Sequence, residues 1–237
     1  MMRRLALIAF LAILLNACAS PADSPIETLP SSQVTRIAIA SATSPATPTY
    51  TAEEARRERF LPVLLTLDDF LDGVAYGDPS LTDITTQAIA SLAAFSESVG
   101  YSFAHPGSDF LGGLTGFLND PDLIEGFDAS LAEALERLLH GFAQDVLDRD
   151  EAALSEEELG LAVPIDPADM PPEAVWVSTF GYSGDRFVRL DAVGLRSGRV
   201  GVYLIYVGVP DNQPLIDLPA IASLLAERIA TSQSGDF

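Results

Sequence analysis

The chain has 237 residues, 48% of them hydrophobic, and 13 basic against 34 acidic side chains give a formal net charge of −21. So acidic a surface repels phosphate backbones and speaks against nucleic acid as a partner. Every basic residue is Arg, which leaves no lysine for Schiff-base chemistry or a phosphate-gripping loop. One Cys and two His (His105 and His140) cannot complete a four-ligand zinc site or an internal disulfide, so neither a metal nor a cofactor is expected.

At the N-terminus, Arg3 and Arg4 precede the apolar run Leu5 to Leu15, which is short for a bilayer-spanning helix and has the layout of an export signal. It leads into Leu15-Asn16-Ala17-Cys18, which resembles the lipobox of bacterial lipoproteins, with Asn16 as its one departure. The resemblance implies removal of residues 1–17 and a diacylglyceryl thioether on Cys18, usually with an acylated amine. Two or three acyl chains hold a protein on a membrane where one does not. A membrane is therefore the first expected partner, with the folded part on the extracytoplasmic side of a cell envelope. Residues 18–50 hold 5 Pro, 6 Ser and 5 Thr and read as a linker. Within it, Val34 to Ala40 alternates like a short strand able to join a sheet edge.

The folded domain is expected over residues 51–237. Thr51-Ala52-Glu53-Glu54 has capping-box spacing, and Pro62 should end the helix it opens. Leu64 to Gly73 is an apolar run closed by Asp68, Asp69 and Asp72, read as a solvated turn because no calcium-loop pattern accompanies the acids. Ile84, Ala88, Leu92 and Phe95 predict a helix over 81–96. Val99 to Leu118, rich in Gly and aromatics, suits extended chain with bends, and His105-Pro106-Gly107 reads as a turn. Asn119-Asp120-Pro121 starts the strongest helix. Its apolar stripe is Ile124, Phe127, Leu131, Leu135, Leu138, Phe142 and Val146. Glu133, Glu136, Arg137, His140 and Gln144 fall on the other side, with Glu136 and His140 spaced as an i,i+4 pair.

Asp148 to Glu158 is dense in acids and reads as an acidic loop, and Pro164, Pro167, Pro171 and Pro172 follow it. Val175 to Phe180 and Phe187 to Leu195 read as strands. Val200 to Val207 is apolar on both faces, as in a central strand. Arg196 to Arg199 forms the hairpin turn between the last two, with Gly198 free to take a positive φ. Asp217 caps a final helix that has Pro219 in its first turn and Leu218, Ile221, Leu225 and Ile229 on one face. The class predicted is α+β, an antiparallel sheet packed on one side by helices.

Leu64-Leu65-Thr66-Leu67-Asp68-Asp69, Gly184-Asp185 before a strand, the Arg196 to Gly198 turn, and Asp217 to Ala222 before the last helix resemble a group of uncharacterised bacterial lipoproteins. The resemblance implies an exported, anchored α+β domain and assigns no reaction or ligand. The expected function is a non-catalytic binding module presenting a groove between the long helix and the sheet to a protein or a small apolar ligand. The expected contact surface combines the Gly-rich bends at 107–116 with the acidic, Pro-rich stretch at 148–172. Phe110, Phe117, Trp176 and Tyr182 are the aromatic candidates. A structural or assembly accessory of an envelope complex is the alternative, and a hydrolase pairing carboxylates such as Asp109 and Asp185 is a minor one.

Overall fold

The computed structural model describes residues 52–70, 72–90, 95–105, 109–162, 165–209 and 216–232. Cys18, the linker, Val34 to Ala40 and Thr51 of the expected capping box lie outside the described residues. Helix α1 (Ala52–Phe60) gives way to a 3-10 turn at Leu61–Val63, where Pro62 cannot continue an α-helix. A second 3-10 turn, Leu67–Asp69, leads to β1 (Ala75–Tyr76), α2 (Pro79–Ala90), β2 (Glu97–Ala104) and β3 (Phe110–Phe117). The long helix α3 (Pro121–Val146) is followed by β4 (Arg149–Asp150) and the short α4 (Glu156–Leu159). Strands β5 (Ala174–Ser183), β6 (Arg186–Ser197) and β7 (Val200–Gly208) then precede α5 (Leu218–Ser232).

The seven strands among the described residues form one antiparallel sheet in the order β1-β2-β3-β7-β6-β5-β4. Strand β7 sits at its centre, with Tyr203 opposite Leu114 of β3 and Gly194 of β6. Gly198 closes the β6–β7 turn at φ 54°, a conformation that L side chains rarely adopt. The α+β class and the antiparallel sheet agree with the sequence reading, but helices cover both faces instead of one. Tyr203, Ile205 and Val207 join α3 in one core, while Val200, Val202, Leu204 and Tyr206 join α5 and residues 60–65 in the other. The physical reason is that alternate residues of a strand face opposite ways, so a strand apolar at every position needs two covers.

Helix α3 forms as its caps and stripe predict. Asp120 accepts a hydrogen bond from the Asp122 N–H, Pro121 occupies the first turn, and Phe127, Leu131, Leu135, Leu138, Phe142 and Val146 are buried. It lies so close to the sheet that a Cβ on Gly194 would overlap Leu131. Asp217 caps α5 by accepting from the Ala220 N–H at 3.1 Å.

Three local expectations are corrected. Helix α2 is described over Pro79–Ala90, and Phe95 and Ser96, which the expected helix included, lie outside any helix; Phe95 still packs on the core, its ring lying across Gly116 and Gly201 and meeting Phe127 and Tyr203 at 6.0 Å. The Gly-rich segment is extended, as expected, but its glycines at 112–116 lie inside a strand and do not form an exposed contact surface. Phe110–Phe117 is a buried strand whose glycines leave room for Thr85, Tyr101 and Phe95 to cross it. Asp69 is not solvated either. It accepts from the Thr66 N–H at 2.7 Å and pairs with Arg228 of α5, tying the first turns to the last helix.

Candidate functional site

The expected groove between long helix and sheet exists. It is an open cleft of about 800 Å³ between the C-terminal half of α3, the segment 147–153 and the outer side of β5. Its construction begins where α3 stops. Leu147 turns extended, and its N–H caps the helix on the Ala143 carbonyl. The Asp148 N–H then donates to the Tyr182 carbonyl at 2.7 Å, and Arg149 and Asp150 pair with Tyr182 and Gly181 as β4. After two residues the chain leaves the sheet in a 3-10 turn at Glu151–Ala153. The helix stands over one face of β5, the turn stands beside it, and the space between them is the cleft. Leu139, Ala143, Leu147 and Val177 supply apolar surface, and His140, Gln144, Ser178 and Thr179 add polar groups.

Glu136, Asp148, Asp150 and Glu151 line the same cleft, so its rim is acidic. Two of these have fixed roles: Asp148 accepts from the Gly184 N–H at 2.6 Å, and Glu151 accepts from the Thr179 hydroxyl at 3.4 Å. Arg149, the cation of this segment, lies over the Tyr182 ring at 4.4 Å and pairs with Glu158 at 2.8 Å. Hydrogen bonds from the Ser155 N–H, then from Arg149 and the Ser155 hydroxyl, hold the Glu158 carboxyl down at about 2. The expected acidic loop is therefore a built wall. Its charges satisfy a strand, a capping box on α4 and a ring face, which density of acids alone does not reveal.

The i,i+4 pair expected of Glu136 and His140 takes another form. His140 meets Gln144 at 2.9 Å, and Glu136 and His140 instead share the cleft wall. The four aromatic candidates lie elsewhere. Phe110 is buried, Phe117 packs on Phe60 at 4.4 Å, Trp176 donates its indole N–H to Asp191, and Tyr182 lies under Arg149. His105 closes the β2–β3 connection by donating its N–H to the Asp109 carbonyl at 2.9 Å. Asp109 and Asp185 do not form a matched pair. Asp109 is fully buried and accepts from the Ile216 N–H at 3.0 Å, whereas Asp185 is exposed on the β5–β6 turn.

A second polar group lies under the opposite face of the sheet. Asp191 is completely buried and takes three hydrogen-bonding or ionic contacts: Arg189 Nε at 2.6 Å, Arg189 Nη2 at 2.9 Å and Trp176 Nε1 at 2.9 Å. Burial raises its carboxyl, opposed by Arg189 and Trp176. Burial raises the Tyr206 hydroxyl too, reinforced by Asp109. Sequence reasoning missed this group, although Arg189-Leu190-Asp191 alternates charge with an apolar residue inside a strand, which places two opposite charges on one face. Among the described residues no cluster of three or more His, Cys, Asp or Glu is arranged to hold a metal, and no helix is long and apolar enough to cross a membrane.

No protein-family model matches the chain, and no curated protein matches it in sequence. Among solved structures, the extracellular domain of PknH from Mycobacterium tuberculosis aligns with 68% of this chain and 78% of its own, at 9% identity and a TM-score of 0.31. At that score the likeness carries no structural or functional argument.

Proposed function

We propose that this is an exported binding protein, anchored to a membrane through lipid on Cys18, whose folded part captures a ligand in the cleft between α3 and β5. The observation that carries the binding reading is the cleft itself. It combines apolar floor and polar wall in one concavity, as ligand sites do, and its acidic wall is held in place by Asp148, Arg149 and Glu158. The anchor rests on Leu15-Asn16-Ala17-Cys18 after an export-type leader.

The two halves have separate tests. Cys18→Ala should abolish acyl labelling and release the protein from membranes, and continued membrane association of the unprocessed variant would refute the anchor. For the cleft, a display library of random decapeptides is selected on the full chain and on a Gln144→Trp variant that fills the groove. Selected sequences should bind the first and lose at least tenfold on the second. Equal binding to both would place the site elsewhere.

A further inference from the structure

The cleft contains an incomplete sheet edge. Strand β5 pairs with β6 along its whole length, Ala174 to Ser183, but on its outer side its ladder partners among the described residues are Arg149 and Asp150 alone. Antiparallel pairing turns the backbone groups of alternate residues to opposite edges. The Ala174 N–H, which donates to the Pro171 carbonyl, and the Tyr182 carbonyl, which accepts from Asp148, mark the even-numbered residues of β5 as facing outward. Trp176 and Ser178 lie between them and present their N–H and C=O to the same side. There the chain has already left the row, at Glu151, and Ser178 borders the cleft.

We infer that the cleft binds an extended peptide segment of a partner protein as an added strand along β5, continuing the row begun by β4, and that the segment carries basic side chains at alternate positions. This rests on the cleft being the binding site and adds the mode and the chemistry. An added strand takes its affinity from main-chain hydrogen bonds and its specificity from alternate side chains. The side chains turned toward α3 meet Glu136, Asp150 and Glu151, while Arg149 is already engaged by Glu158 and Tyr182. The net charge of −21 favours a cationic partner at longer range.

The test uses a fluorescein-labelled decapeptide alternating Arg and Val, titrated against the full chain in detergent by anisotropy. A second peptide has its backbone N-methylated at every other residue, and the comparison protein carries Ser178→Pro. Proline there removes an outward N–H and leaves the bonds to β6 intact. The account expects saturable binding, at least a tenfold loss with the N-methylated peptide and with Ser178→Pro, and a several-fold loss with Glu136→Gln. Equal affinity for the methylated and unmethylated peptides, or for Ser178→Pro, would overturn strand addition while leaving a cleft-binding result from the decapeptide selection standing. Absence of saturable binding of the unmethylated Arg–Val peptide would also overturn it.

Discussion

In β7 every residue from Val200 to Gly208 is buried, whereas in β5 the six residues from Ala174 to Thr179 are all partly exposed. Both strands are long, antiparallel and rich in β-branched and aromatic residues. They differ in their neighbours among the described residues: β7 is laddered on both edges by β3 and β6 and covered on both faces by helices, while β5 is laddered fully on one edge and for two residues on the other. The centre of such a sheet is fixed by packing, and function is left to the place where pairing runs out. Here that place is walled by α3 and by an acidic segment, which makes it a cleft instead of a bare edge.

Substitutions from the centre of the sheet outward should give progressively smaller losses. Asp191→Ala should cost the most, about 3–5 kcal/mol, because it empties a fully buried carboxylate position beside the partly buried Arg189 and removes the acceptor of the Trp176 indole. Chemical denaturation checks this, and a loss below about 1 kcal/mol would mean that the pair is not desolvated. Val177→Pro comes next. Residue 177 faces β6, so the substitution strips a ladder bond shared with Ala192 and should destabilise by at least about 2 kcal/mol.

Asp69→Asn should cost about 1–2 kcal/mol, since Arg228 keeps its bond to the Leu64 carbonyl but loses a charged partner. Burial pushes the Asp69 carboxyl up, but hydrogen bonds from Arg228 and Thr66 outweigh it and the net value lies below the ordinary 3.8. The stabilisation is thus present above pH 3.8 and lost as pH falls through the lowered folded value. Stability curves of the native chain should drop more steeply in that acid window than those of Asp69→Asn. Parallel curves would remove the pair from the account. Ser178→Pro, one residue from Val177 but facing the outer edge of β5, should change stability least, by less than about 1 kcal/mol.

Elements whose signals are local were legible in the chain. Asp120-Pro121 with its apolar stripe defines α3, Gly198 between two alternating runs defines the β6–β7 hairpin, and Asp217 with Pro219 defines the start of α5. The second covered face was visible too, in the unbroken apolar run of β7, but reading it requires asking what covers each side. The Gly-rich β3 misleads because its glycines answer to Thr85, Tyr101 and Phe95, which sequence does not place beside them. The cleft was hidden for a related reason. Thr179 meets Glu151 across 28 residues and Gly184 meets Asp148 across 36, so the wall emerges only when β4 pairs with β5. Asp69 and Arg228, 159 residues apart, pose the same problem.

Among the described residues β5 is laddered along one edge and on the other only by Arg149 and Asp150, and residue-resolved amide hydrogen exchange on the full chain reads that difference. The Val177 and Thr179 amides, bonded to β6, should exchange slowly, near the rates of β7, while those of Trp176 and Ser178 should exchange orders of magnitude faster. Uniform slow exchange across Val175 to Thr179 would show that the outer edge is already paired and would contradict the account.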